Sequence, residues 1–285
     1  LSAKLLGFDG VMASTYDGIA TSDNLTDVAG ALSTMGVNLS RFSKDMLFWA
    51  TQESGAIRID NSFIQISSIM PQKRNPVVLE HIRARISRMI AQAHGIVIQC
   101  HNIPYGDTQD IEDEVFPMLF GGLETASDIL HLYGAVMETL HINVDHLRDR
   151  AIAGFTTVTE LADTLVRHAN LPFRQAHSIV SGMVTYSLEN KLAPTDLTSE
   201  LLTQIAQEKL GIDVILSDEL LQQALDPEAF VQARTVPGGS APSATKAVLS
   251  DQTVNYDVDK GWLSSTHQKL SDANDLLQSE IDKLT

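Results

Sequence analysis

The stretch Ser67-Ser-Ile-Met-Pro-Gln-Lys-Arg-Asn-Pro76, continued by VVLEHIRARISRMIAQAHGIVIQC as far as Cys100, joins a polar loop to a long amphipathic segment. Asparagine is a favourable helix cap and proline fits the first helical turn, so we predict that a helix begins at Asn75-Pro76. Apolar side chains then recur at helical spacing, namely Leu79, Ile82, Ile86, Ile90, Ala93 and Val97. Such a helix needs other elements to cover its apolar face.

Two further segments have the same apolar spacing. One runs from Asp23-Asn24, which can cap it, to about Glu53, and the other runs from Val115 to about Arg150. Rods of roughly 25 to 35 residues, about 40 to 50 Å long, are typical of a helix bundle. Their apolar stripes are wide, which predicts homo-oligomerisation through the bundle. We therefore predict an all-α fold in which residues 1–150 form a long-helix bundle carrying a loop at residues 66–76.

The pattern changes after Ala153-Gly154-Phe155, where the apolar runs become shorter and are separated by proline and glycine. This change predicts a small second domain of short helices over residues 151–249. A terminal amphipathic segment follows over residues 250–285, with its helix expected from about Asp257 or Gly261 to Leu284. No clear strand pattern is present in the sequence.

The charge and cysteine content limit the classes of partner and compartment. Of the 285 residues, 36 are acidic and 20 are basic, so the formal net charge of −16 disfavours nucleic acid and anionic membranes as partners. No apolar run approaches the roughly 18 residues that a membrane span needs. The single cysteine, Cys100, permits no internal disulfide and is expected to be a core thiol, which suits a reducing cytoplasm.

The loop before the second long helix is the best candidate for chemistry. The common phosphate-loop, zinc-helix and nucleophile-elbow motifs are absent from the sequence, and the histidines are interpreted as surface or core residues. By contrast, residues 67–76 bring two hydroxyls, two cations and a helix N-terminus together, which is typical of a carboxylate or phosphate site. The alternative from these residues alone is an ordinary polar loop that leads into a capped helix.

The loop resembles the signature loop of the fumarase/aspartase superfamily, Gly-Ser-Ser-x-Met-Pro-x-Lys-x-Asn. Further stretches resemble the argininosuccinate lyase family within it: Gly154-Phe-Thr-Thr-Val-Thr-Glu-Leu-Ala-Asp163, Leu171-Pro-Phe-Arg-Gln-Ala-His177, Leu225-Asp-Pro-Glu-Ala229 and Gly238-Gly-Ser-Ala-Pro242. The resemblance extends to about Leu249. It implies a bundle that forms the oligomer core of a homotetramer, working without a metal or an organic cofactor.

The resemblance also implies a reaction and a set of roles. The reaction is a reversible β-elimination at a carbon–nitrogen bond of the amidine-lyase type, splitting argininosuccinate into fumarate and arginine in arginine biosynthesis. Its small-molecule substrate is thus an N-succinyl amino acid. By position in the motif, Ser67 is the base, Lys73 and Asn75 bind a carboxylate, and Glu80 orients a histidine elsewhere. The expected substrate-binding residues are Ser68, Met70, Tyr105 and Gln109.

This sequence departs from the family pattern at several positions. Ile66 replaces the usual glycine, and Asn24-Leu25 replaces Arg-Asp after Ser22-Asp23. In the segment that holds the arginine portion in the family, a glutamine and a lysine are replaced by Asp110 and Asp113, and Gln109 fits only with a one-residue shift. The resulting acidic segment could receive a cationic leaving group or could be a solvated helix entry; its residues are Asp107, Asp110, Glu112, Asp113 and Glu114.

Two other conserved regions of the superfamily lie upstream in its members and are not found in this sequence. Because family active sites combine residues from several subunits, we expect this chain to be the central and C-terminal portion of such an enzyme and to be inactive alone. Three alternatives remain open. They are a lyase for another N-substituted aspartate, a catalytically silent structural homologue, and a helical interaction module that is not a lyase.

Overall fold

The computed structural model describes residues 1–70 and 72–283, except the side chains of residues 110–112. Pro71, Leu284 and the side chains of Asp110 and Glu112, named above, therefore lie outside the described residues. The predicted all-α fold is confirmed, and the chain divides into two compact units, Gly10–Val144 and Leu1–Asp9 with Asp145–Thr285.

The elements of the described residues follow one another along the chain with short connections. In chain order, the helices are α1 (Ser2–Leu5), α2 (Thr15–Ala20), α3 (Asp23–Trp49), α4 (Val77–Cys100), α5 (Gln109–Glu114), α6 (Phe116–Thr139), α7 (Val144–Ala153), α8 (Val158–Ala169), α9 (Phe173–Asn190), α10 (Ser199–Leu210), α11 (Asp218–Leu225), α12 (Pro227–Gln232) and α13 (Pro242–Asp282). The strands are β1 (Ile57–Arg58), β2 (Gln65–Ile66), β3 (Arg74–Asn75) and β4 (His141–Ile142). No helix in this part of the chain is both long and apolar enough to cross a membrane.

The unit from Gly10 to Val144 is built around the long helices α3, α4 and α6. Helices α3 and α4 are antiparallel, since Ala50 and Pro76 line one small cleft and the Ser22 side chain reaches the Cys100 thiol at the other end. Of the stripe predicted for α4, Leu79, Ile82, Ile86 and Ala93 are buried, Ile90 is half-buried and Val97 is exposed. The buried residues of the helix are Val78, Leu79, Ile82, Ile86, Met89, Ala93 and Ile96. Cys100 is half-buried, and burial raises the pKa of its thiol.

The start of α4 differs from the expectation. Asn75 does not cap the helix, because it lies in β3, and Pro76 occupies the N-cap position before Val77. The physical reason is the pairing of β2 with β3, which holds Asn75 in an extended conformation opposite Gln65. The prediction of a helix starting beside Asn75-Pro76 is therefore correct, whereas the cap assigned to Asn75 is wrong.

The third long run is interrupted in the structure. Helix α6 ends at Thr139, and α7 begins only at Val144, because β4 pairs antiparallel with β1 between them. The Asn143 amide N–H then donates to the Ala56 carbonyl at 3.0 Å. These strands have two residues each, which is too short for an alternating pattern to be visible in the sequence.

The second unit has its own apolar core from α8, α9, α10 and α11. Glu160, only 4% exposed, accepts hydrogen bonds from Arg167 and Arg234. Arg234 also lies 3.4 Å from Asp163, and its guanidinium stacks 4.3 Å from the Phe230 ring centroid. These partners compensate the cost of burying the carboxylate and tie the end of α12 to α8.

Helix α13 begins at Pro242, well before the predicted start near Asp257. Proline at its first position suits a helix N-terminus, and the polar residues that follow hide the start from an apolar pattern. Its residues Ala244 and Ala273 are buried, and Ala273 faces the turn that follows α1 at Gly7.

Candidate active site

The signature segment forms a short hairpin ahead of α4. Its stem is the antiparallel pair β2–β3, in which Gln65 lies opposite Asn75 and Ile66 lies opposite Arg74. The described residues of its tip are 67–70, 72 and 73, and within the tip the Lys73 amide donates to the Met70 carbonyl at 3.0 Å. Ile66, which replaces the family glycine, is accommodated as an exposed stem residue.

The Ser67 hydroxyl is held by the backbone of the tip. Its Oγ accepts hydrogen bonds from the amide N–H of Ile69 at 3.3 Å and of Met70 at 3.1 Å. Two donors directed at one oxygen stabilise negative charge on that oxygen. Ser67 is half-buried, whereas Ser68, Ile69 and Met70 are exposed. The Ser67 hydroxyl therefore lies in a tip whose next three residues face solvent.

The predicted carboxylate-binding residues lie beside the start of α4. Lys73 is exposed at the end of the tip, and Asn75 is half-buried on β3. Glu80 is exposed in the first turn of α4, where a carboxylate is favoured by the helix dipole. The structure thus places Ser67, Lys73, Asn75 and Glu80 in the same hairpin and first helical turn, together with Ser68 and Met70.

Tyr105 lies in a different cluster. Its hydroxyl donates a hydrogen bond to the Asp17 carboxylate, and the Tyr16 hydroxyl donates one to the Tyr105 carbonyl. The two rings meet edge to face with centroids 5.7 Å apart. The hydrogen bond to Asp17, followed by burial and the charges of Asp17 and Asp23, raises the pKa of the Tyr105 phenol. The phenol therefore remains a donor at neutral pH.

The structure does not bring Tyr105 and Gln109 to the signature hairpin within one chain. The hairpin precedes the N-terminus of α4, whereas Tyr105 and Gln109 follow its C-terminus. A helix of 24 residues separates the two groups by about 36 Å. The predicted residues consequently form two clusters at opposite ends of one unit.

Two residues that contact Tyr105 were missed by sequence reasoning. Tyr16 and Asp17 lie on α2, a helix of six residues capped by Ser14. They are almost ninety positions from Tyr105 in the chain, so no local spacing relates them. Only their residue types could have suggested these two positions from the sequence, because a phenol and a carboxylate are both groups that form hydrogen bonds to ligands.

The chain matches known lyases over most of its length. Residues 155–232 match the family model described as argininosuccinate lyase C-terminal, and residues 1–91 match the model described as lyase. Argininosuccinate lyase of Methanothermobacter thermautotrophicus is 36% identical over 251 residues, or 88% of this chain and 53% of that protein. Argininosuccinate lyase 1 of Shouchella clausii is 34% identical, covering 97% of this chain and 54% of that protein.

A solved structure agrees in fold. EDDS lyase in complex with formate superposes with a TM-score of 0.88 at 29% identity, covering 99% of this chain and 56% of that chain. The chain thus spans about half the length of the curated relatives it matches.

Proposed function

Because the chain is an argininosuccinate lyase-like protein of the fumarase/aspartase superfamily, we propose that the protein containing it eliminates fumarate from argininosuccinate and releases arginine. The observation that carries this proposal is the Ser67 hydroxyl, which accepts two amide hydrogen bonds in a loop that also carries Lys73. This environment favours an oxygen that can take a proton. The relatives named argininosuccinate lyase support the choice of substrate.

In the proposed reaction Ser67, in the alkoxide form that the Ile69 and Met70 amides stabilise, removes a proton from Cβ of the succinyl group. The electron pair moves into the adjacent carboxylate, which becomes a dianionic aci-carboxylate. Lys73, which precedes β3, and Asn75, which lies on it, are proposed to bind that carboxylate, where they favour the developing charge. The electron pair held in the aci-carboxylate then forms the Cα=Cβ double bond of fumarate as the Cα–N bond breaks. The electrons of the broken bond stay on nitrogen, which takes a proton from a general acid.

We further propose that the complete site is assembled from several copies in a homotetramer. The two clusters of predicted residues are about 36 Å apart along α4, so one substrate molecule cannot touch both in the same chain. An antiparallel neighbour would place its Tyr105 cluster beside the hairpin of the first copy. The isolated chain is then expected to lack turnover unless the remaining residues of the site are supplied.

A second candidate is elimination from another N-substituted aspartate. It is favoured by the carboxylates around Tyr105, since Asp17 accepts a hydrogen bond from the Tyr105 hydroxyl and Asp23 acts on that hydroxyl electrostatically. A cationic leaving group would suit this end of the unit. The similarity to EDDS lyase, at 29% identity over nearly the whole chain, also supports it.

The test is fumarate release, followed by ultraviolet absorbance, by the protein that contains this chain at its natural length. Argininosuccinate and a set of other N-succinyl amines serve as substrates. Preferred release from argininosuccinate supports the first candidate, and preferred release from another succinyl amine supports the second. Absence of release from every compound by a folded oligomer contradicts both.

Replacing Ser67 by alanine tests its role as the base. We expect Ser67→Ala to lower kcat by about 10²- to 10⁴-fold, the usual contribution of a positioned general base. The matched control is Ser87→Ala, which changes an exposed serine on α4 and should leave kcat unchanged. Near-normal turnover in Ser67→Ala, with an unchanged melting temperature, would show that another group is the base.

A further inference from the structure

Arg74 connects the stem of the signature hairpin to the segment that precedes it. Its Nη2 donates to the Ile59 carbonyl at 3.1 Å and to the Asn61 side-chain oxygen. Ile59 is buried at 4% exposure. The guanidinium therefore links an exposed hairpin to a fixed point of the fold.

The acceptors of Arg74 belong to a well-supported turn. Asn61 begins a 3-10 turn, Asn61–Phe63, in which the Asp60 carboxylate accepts from the Ser62 amide at 2.9 Å and from its hydroxyl at 2.7 Å. The turn follows β1, and β1 pairs with β4 beyond the end of α6. A continuous chain of contacts thus runs from the helix bundle to the hairpin.

Arg74 is also placed between two predicted site residues. Successive side chains of an extended strand point to opposite faces. Arg74 and Asn75 form β3, so their side chains lie on opposite faces of the strand. The Arg74 side chain meets Ile59 and Asn61 on one face, and Asn75 occupies the other. Lys73 adjoins the strand on the other side of Arg74.

From this geometry we propose that Arg74 is a positioning residue, which fixes the hairpin stem through Ile59 and Asn61 and so sets the positions of Lys73 and Asn75. It is not proposed to touch the substrate. The kinetic part of the inference rests on the proposed function, because Lys73 and Asn75 act as carboxylate binders only in that reaction.

The first measurement is hydrogen exchange of the backbone amides of residues 65–75. In Arg74→Met, we expect these amides to exchange at least about tenfold faster, while the buried core of α4 keeps its protection. Asn61→Ala removes one acceptor only and should give a smaller effect in the same direction. Stem amides that exchange at the wild-type rate in both variants would overturn the inference.

The second measurement is the kinetics of fumarate release. Because small displacements of catalytic groups cost rate rather than binding, Arg74→Met should lower kcat about tenfold or more. Arg74→Lys keeps a donor and should recover part of the lost kcat. The double variant Arg74→Met with Asn61→Ala should have the same kcat as Arg74→Met, because both changes break the same contact. The control Arg85→Met removes an exposed arginine of α4, which pairs with Asp128, and should leave kcat unchanged.

These outcomes separate positioning from a general structural role. A kcat per folded molecule equal to wild type in Arg74→Met overturns the inference, even if its melting temperature falls. A wild-type protein that releases no fumarate from any N-succinyl amine contradicts the proposed function instead. The anchoring by Arg74 is then decided by the exchange measurement, which does not depend on turnover.

Discussion

On each side of β2, one side-chain oxygen accepts two hydrogen bonds. Ser67 Oγ accepts from the two amides that follow it in the tip, and Asp60 Oδ1 accepts from the amide and hydroxyl of Ser62. Serine and aspartate commonly make such local bonds in turns. In the first case the arrangement favours charge on a candidate base. In the second it stabilises the turn that holds Arg74.

The Asp60 turn should give stability that depends on pH. Hydrogen bonds from the Ser62 side chain and backbone lower the pKa of the Asp60 carboxyl below its ordinary value. Because the pKa is lower in the folded state, the ionised carboxylate stabilises the fold at pH values above the unfolded pKa, about 3.9. This stabilisation is lost as the pH falls through the folded pKa. We therefore expect the melting temperature of the wild type to exceed that of Asp60→Asn by a constant amount above about pH 5.

The measurement is the melting temperature of both proteins between pH 3 and 7, by circular dichroism. Asparagine keeps an acceptor without the charge, so the difference between the two proteins should shrink below about pH 4. A difference that stays constant over the whole range would show that the charge of Asp60 is irrelevant to stability.

At the scale of elements, the contact between α3 and α4 depends on the size of one residue. A Cβ at Gly36 would lie 2.6 Å from Ile90 Cγ1, which is closer than real contacts allow, and 3.0 Å from Met89 Cε, which is tighter than ordinary packing. Ile90 is branched and packed, so it cannot move aside freely. Seven residues further along α3, about 10 Å away, the Ser43 and Tyr133 hydroxyls join α3 to α6 by a buried hydrogen bond.

Alanine at Gly36 and at Gly30 should have opposite effects on the free energy of unfolding. Both glycines lie in α3, but nothing lies within 4 Å of a Cβ at Gly30. Gly30→Ala should gain about 0.5–1 kcal/mol from helix propensity, whereas Gly36→Ala should lose about 1–3 kcal/mol by overpacking. Urea unfolding of both variants is the measurement, and equal effects of the same sign would contradict the packing argument.

At the scale of the whole molecule, large apolar side chains remain uncovered on all three long helices of the bundle. Ile98 is 69% exposed, Phe120 is 63% exposed and Phe48 is 59% exposed. Ile98 and Phe120 lie near the end of α4 and the start of α6, whereas Phe48 lies near the other end of the bundle. An oligomer interface would cover such side chains. A second copy of the same bundle exposes the same apolar side chains, and their exposure agrees with the proposed tetramer.

We expect the protein to sediment as an oligomer. The double variant Ile98→Asp with Phe120→Asp should shift the sedimentation towards the mass of the monomer. The charges would be buried without partners in an interface, which costs several kcal/mol. Ile215→Asp is the control, because Ile215 is 88% exposed in the other unit and lies outside the bundle. Sedimentation of the double variant at the wild-type mass would place the interface elsewhere.

The hydrophobic spacing was sufficient to predict the three long helices, because residues such as Leu79, Ile82 and Ile86 must share one buried face. It was insufficient for β1 to β4. A strand of two residues is formed by its partner, and the partner of Ile57 is Ile142, far away in the chain. For the same reason β4 was not predicted, and the sequence between Val115 and about Arg150 was interpreted as one helix instead of α6 and α7.

The sequence by itself determined the all-α fold and the lyase family, because helical periodicity and the motif from Ser67 to Pro76 are local properties. It also named Ser67, Lys73, Asn75 and Glu80, whose roles remain predictions. The two amides at Ser67 are local contacts of the tip, whereas only the tertiary structure decided the Arg74 anchor and the contact of Asp17 with Tyr105 at the other end of the unit. Most of these contacts join residues separated by many positions, and such distances are set by helix packing and strand pairing, which no local pattern encodes.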